Sequence, residues 1–157
     1  MEAASIQNVS LRTIFEDRVN VFSEEIQRND VLRALVESIA ASGKLAESAI
    51  DSTVQELIRR EEAGSTGIGR GLAFPHLRTA LVGDHVGAIA MVPEGMDFES
   101  LDRSPTRLVI LLLSPQGTLE EHTTLMGRLA RLMSDETLPY ILRIPRSTEN
   151  LFQILEF

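Results

Sequence analysis

G-S-T-G-I-G-R-G-L-A-F-P-H, running from Gly64 to His76, is the stretch on which the reading of this chain turns. Four glycines fall within the eight residues Gly64–Gly71, followed by Leu72, Ala73, Phe74, then Pro75 and a histidine. Glycine at that density costs backbone entropy, so the local structure has to need positive φ angles or a close backbone approach. Proline fixes its own φ and biases Phe74 toward extended structure, so His76 is expected to emerge from a strand end with a restrained backbone. A lone histidine is usually a surface or satisfied core residue. Here the glycine loop, Arg60 nearby in sequence and a second well-placed histidine point instead to a pocket for a small charged group. On the competing structural reading, Gly64 caps a helix and the other glycines shape a turn.

Upstream of the loop, Leu11–Phe15 reads as a helical turn and Arg18–Phe22 as a strand. Val31–Ser42 has helical spacing in Val31, Leu35 and Ile39, with Asn29 or Asp30 as its cap and Gly43 at its end. Ala46–Ala63 repeats the pattern with Ile50, Val54, Leu57 and Ile58 on one face, which puts Gly64 at a C′ position. Downstream, Leu72–Phe74 and Val86–Val92 read as strands, and Leu108–Leu113 is an apolar run of buried-strand length. Thr118 and Glu121 have the T-x-x-E spacing of a capping box at the start of a helix through Met133. Two further helical pieces are expected, Glu136–Arg143 and Thr148–Phe157, separated by Pro145. Helices on both sides of the strands predict a sheet covered by helices, a layered α/β domain. With no repeat and no linker rich in Pro, Gly and Ser, residues 1–157 are expected to form one domain.

The glycine loop misses two phosphate-binding patterns. Gly64 and Gly69 have Walker A spacing, but Arg70 and Gly71 stand where lysine and a hydroxyl are required. Gly67 and Gly69 begin a dinucleotide fingerprint that is not completed, and the loop follows a helix rather than a strand. His122 shares the inward face of Leu125 and Leu129 in the first turn of its helix, where the dipole disfavours imidazolium and favours an anion. Its competing reading is a ring satisfied by a backbone carbonyl. His85 lies in a Gly-Asp-His turn, reads as exposed, and is assigned no role. No metal-ligand spacing such as H-x-x-x-H exists, so neither a metal nor a cofactor is expected. Arg59 and Arg60 suit the end of their helix; the functional alternative is a guanidinium that neutralises phosphate oxygens.

The formal net charge is −8. Such a surface disfavours nucleic acid and anionic lipid and suits a basic protein partner, or serves solubility alone. The absence of cysteine removes disulfides and a thiolate nucleophile. No apolar run is long enough to insert in a membrane and no secretory signal opens the sequence, so a cytoplasmic location is expected.

R-E-E-A-G-S-T-G-I-G-R-G-L-A-F-P-H resembles the active-site signature of the enzyme IIA components of the bacterial sugar phosphotransferase system (PTS), in the fructose/mannitol branch that includes the nitrogen-regulatory IIA protein. The likeness spans nearly the whole chain, including the E-H-x-x-x-L helix of His122. The resemblance implies a three-layer α/β/α domain with a mixed sheet. It implies that His76 is the phosphoryl acceptor, that Arg60 and His122 support the phosphate, and that Gly64, Ser65 and Thr66 pack beside the acceptor as its phosphate-binding turn. The implied donor is the histidine-containing phosphocarrier HPr or its nitrogen-branch paralogue. The implied recipient is a IIB component or a regulatory target. Leu77 and Arg78 depart from the Gly-Lys that often follows the histidine, and Leu72 and Phe74 replace isoleucines. With no IIB or membrane IIC segment in the sequence, a free-standing IIA is expected. The alternative is a regulatory module whose partner binding depends on His76 phosphorylation, without sugar transport. A non-transferring relative, such as the cytoplasmic domain of an anion transporter, is disfavoured by the presence of His76, Arg60 and His122 together.

Overall fold

The computed structural model describes residues 6–138 and 148–155. A six-stranded mixed sheet carries β1 (Val19–Val21), β2 (Gly67–Gly69), β3 (Leu72–Ala73), β4 (His76–Thr79), β5 (Val86–Met96) and β6 (Thr106–Pro115). The strand order is β1-β5-β6-β3-β2, with β4 also paired to β6. β5 and β6 are antiparallel, whereas β1 runs parallel to β5, and β3 and β4 run parallel to β6.

The long apolar run is the central strand β6, and its alternation separates two cores. Leu108, Ile110 and Leu112 pack with α1 (Leu11–Phe15), α4 (Leu119–Met133) and α5 (Thr148–Ile154). Val109, Leu111 and Leu113 pack with α2 (Arg28–Ala41) and α3 (Ile50–Ala63) on the other face. Burial on both sides explains why β6 reads as continuous rather than alternating hydrophobicity. The result is the expected α/β/α sandwich.

Several local expectations are corrected. α2 starts after extended Gln27, so Asn29 and Asp30 lie in its first turn, not at its cap. The helix expected from Ala46 begins as a 3-10 turn, Glu47–Ala49, before α3. Gly64 ends α3 at φ 170°, an extended conformation open to any residue, so it is no left-handed C′ glycine. Gly43, at φ +81°, does take that role after α2. The Thr118 capping box does not form: the hydroxyl turns back to donate to the Pro115 carbonyl at 2.6 Å. Leu132 is half-buried, while His122, Leu125, Leu129 and Met133 make the buried stripe of α4. Most of the expected helix Glu136–Arg143, and Pro145 after it, lie outside the described residues. Among the described residues no helix is long and apolar enough to cross a membrane.

β3 and β4 are two pieces of one interrupted strand. β3 pairs with Leu108 and Val109, and β4 resumes opposite Leu112 to Pro115. Across the break, Phe74 N–H turns away to the Thr66 carbonyl, and the Pro75 carbonyl accepts from Leu112 N–H. Proline has no N–H to contribute to a ladder, which fits it to this gap. His76 therefore opens a strand rather than closing one.

Candidate functional site

His76 is half-buried, and its Nδ1 lies 2.9 Å from the carbonyl oxygen of Phe74. A carbonyl only accepts, so Nδ1 carries the proton and the lone pair of the neutral ring sits on Nε2. Alternation along β4 sends His76 and Arg78 to the α4 face, and Leu77 to the opposite core. Register then aligns His76 with Leu112 and Arg78 with Ser114.

His122 covers the same face from the first turn of α4. It is 7% exposed, and its ring centroid lies 5.8 Å from that of His76, tilted by 42°. Its Nδ1 bonds Ser114 Oγ at 2.7 Å, in place of the backbone carbonyl considered from sequence. Burial, and then electrostatic repulsion of an added proton by His76, Arg78 and His85, lower its pKa to about 4. His122 is accordingly a neutral ring at pH 7, with one N–H to offer.

His85 is not the exposed residue its turn implied. It is half-buried one position beyond the Val86–Leu113 pair, and its Nδ1 lies 2.9 Å from the same Ser114 Oγ. Burial pushes its pKa down, partly opposed by Glu121 and Asp84. Local sequence could not reveal this, because the contact follows from antiparallel pairing across 29 residues. Ser114 carried one signal: it is the first polar position after the apolar run, in register with Leu112.

Arg60 is exposed and donates to the Gly64 carbonyl at 2.9 Å, so its guanidinium is anchored on the glycine loop rather than on an imidazole. Ser65 Oγ donates to the Phe98 carbonyl at 2.7 Å and accepts from Gly67 N–H at 3.0 Å. Thr66 donates its N–H to Glu61 Oε2 at 2.9 Å and its hydroxyl to Glu61 Oε1. The side chains of the Gly64-Ser65-Thr66 turn are thus committed to internal bonds that hold the loop. Glu61, 2% exposed at the end of α3, is the anchor that sequence reading missed.

The glycines answer to a neighbouring segment. A Cβ on Gly67 would sit 2.3 Å from Ser100 Oγ, and one on Gly69 2.6 Å from Asp102 Oδ2. Arg70 and Gly71, at φ +57° and +84°, form the two-residue link between β2 and β3. Among the described residues no three His, Asp or Glu side chains converge as a metal site.

This constellation can be set beside known proteins. The family described as "Phosphoenolpyruvate-dependent sugar phosphotransferase system, EIIA 2" matches residues 13–157. The chain belongs to that family. A nitrogen regulatory protein of Bradyrhizobium diazoefficiens is 32% identical over 127 residues, covering 81% of this chain and 83% of its own. The crystal structure of the nitrogen regulatory protein IIA-Ntr from Neisseria meningitidis superposes with a TM-score of 0.79 at 27% identity, over 92% of this chain and 98% of that one. A complex of the Escherichia coli mannitol enzyme IIA with phosphorylated enzyme IIB matches in fold, with a TM-score of 0.71 at 19% identity over 89% and 94% of the two chains. The EIIA type-2 family consists of phosphoryl carriers that use histidine. In this member, all three histidines meet at one end of the sheet.

Proposed function

We propose that this EIIA type-2 protein carries a phosphoryl group on Nε2 of His76. The observation that carries this reading is the bond from His76 Nδ1 to the Phe74 carbonyl, which leaves Nε2 as the nitrogen with a lone pair. The donor is a phosphohistidine of HPr or its nitrogen-branch paralogue. The His76 Nε2 lone pair forms the new N–P bond as the donor's N–P bond breaks, and the donor nitrogen leaves with that electron pair. The phosphorylated ring gains cationic character, which the Phe74 carbonyl stabilises by accepting from Nδ1–H.

Such a transfer asks for positioning and charge stabilisation rather than covalent help. His122, held beside His76, offers an N–H to the phosphoryl oxygens. Arg60 reaches them by exchanging the Gly64 carbonyl for a phosphate oxygen, and Gly64, Ser65 and Thr66 shape the loop below it. No cofactor enters this chemistry. The net charge of −8 suits a basic face on the donor. The sharing of one sheet by both cores supports treating residues 1–157 as one domain.

A regulatory role for the phosphorylated state is favoured over sugar transport by the likeness to nitrogen regulatory proteins along most of both chains. The mannitol complex supports a IIB component as the other recipient. Incubation with phosphoenolpyruvate, enzyme I and each HPr-type carrier tests the reading: label on wild type and none on His76→Ala is expected, and equal label on both overturns it. Passage of the label to a purified IIB separates transport from a switch read only by a binding partner.

A further inference from the structure

Ser114 Oγ lies 2.7 Å from His122 Nδ1 and 2.9 Å from His85 Nδ1. A hydroxyl has one proton, so it donates to one of these nitrogens and accepts from the other. Ser114 is fully buried, which keeps bulk water from supplying another partner. Two arrangements exist. In the first, His85 Nδ1–H donates to Ser114 and Ser114 donates to His122 Nδ1, which leaves the His122 proton on Nε2. In the second, His122 Nδ1–H donates to Ser114 and its Nε2 is a bare lone pair. With Nδ1 held by Ser114, Nε2 is the His122 nitrogen available to a ligand. A lone pair there repels phosphoryl oxygens, whereas an N–H binds them.

We propose that His85 is a positioning residue that, through the Ser114 hydroxyl, keeps the proton of neutral His122 on Nε2 and so makes His122 a donor to the phosphoryl group; this rests on the function proposed for His76.

The charges around the bridge bias it in that direction. Burial lowers the pKa of His85, and the carboxylates of Glu121 and Asp84 act on its ring in the opposite sense. His76, Arg78 and His85 face His122 and disfavour an added proton there. Such control of a tautomer by a partner that never touches the substrate is an established way of orienting a catalytic imidazole.

Two substitutions at His85 have opposite consequences. The amide nitrogen of His85→Asn stands near the position of Nδ1 and donates to Ser114. The carboxylate of His85→Asp accepts only, takes the Ser114 proton, and turns the bridge around. Nitrogen-15 NMR of histidine-labelled protein reads which His122 nitrogen is protonated, without any phosphoryl transfer. The His122 proton is expected on Nε2 in wild type and His85→Asn, and on Nδ1 in His85→Asp. Transfer from phosphorylated HPr is expected near the wild-type rate in His85→Asn and at least about tenfold slower in His85→Asp. In a Ser114→Ala background, or Ser114→Cys should alanine fail to fold, the two His85 variants should transfer equally. The inference is overturned by the same protonated nitrogen in both variants, or by a rate difference that survives loss of the Ser114 hydroxyl. If wild type accepts no label from any HPr-type carrier, the proposed function fails, while the spectra still decide which way the bridge runs.

Discussion

The rings of His76 and His122 stand 5.8 Å apart, tilted by 42°, one on an interrupted strand and the other on the helix covering it. Their Nδ1 atoms are both occupied, by the Phe74 carbonyl and by Ser114 Oγ. The phosphoramidate is therefore expected on Nε2 of His76. Phosphorus–nitrogen correlation in NMR of the labelled protein checks this, and a phosphoryl group on Nδ1 would contradict the proposed tautomer.

Replacing His122 by glutamine removes the imidazole while leaving a polar side chain. Transfer to His76 is expected to fall by about 10²–10³, the usual effect of losing a donor to developing charge. Rapid-quench kinetics checks it, and an unchanged rate in a folded variant removes His122 from the chemistry.

His122 also makes stability depend on pH. Its folded pKa of about 4 lies below the ordinary value of 6.5, so between these values the unfolded chain binds more protons than the folded one. Its share of stability is complete above pH 6.5 and declines as pH falls toward 4, by at most about 3 kcal/mol. Urea unfolding at pH 7 and pH 4.5 should differ more for wild type than for His122→Gln. Removing the nearby cation with Arg78→Ala should raise the His122 pKa, as followed by NMR titration.

The glycine loop is held by Glu61. Thr66→Val leaves one buried carboxylate oxygen without its hydroxyl partner, and a loss of about 1–3 kcal/mol is expected. A lowered denaturation midpoint with an unchanged slope is the signature to look for.

Gly67→Ala forces a methyl against Ser100 Oγ at 2.3 Å, with the Ser100 Cα at 3.2 Å behind it. The expected cost is about 1–3 kcal/mol. Adding Ser100→Ala relieves the closer contact but not the one to backbone, so a double-mutant cycle should return part of the loss. Full additivity would mean that the two positions do not meet.

Periodicity made the main elements legible: β6 as an unbroken apolar run, α2 and α3 as amphipathic stripes, and His122 on the stripe of Leu125 and Leu129. What it missed depends on distant pairing. The strand β4 and the hairpin strand β2 are too short to carry a pattern of their own. Thr118 looked like a helix cap because local spacing does not register the turn from Pro115, which claims its hydroxyl first. The Gly64-Ser65-Thr66 turn looked open to an anion, because nothing nearby in sequence announces that Glu61 folds back to occupy Thr66. His85 and Ser114 were out of reach for the same reason, since their meeting is a property of sheet register.

The gap at Phe74 and Pro75 separates two tasks that many surfaces combine. The place of the His76 ring is set by the ladder of β4 on β6, whose register puts His76 opposite Leu112. Leu81 and Leu119, both exposed, lie outside that ladder, so changes at them leave its register alone. Substitutions on that periphery are tolerated without moving the imidazole, because its position depends on strand pairing rather than on surface side chains.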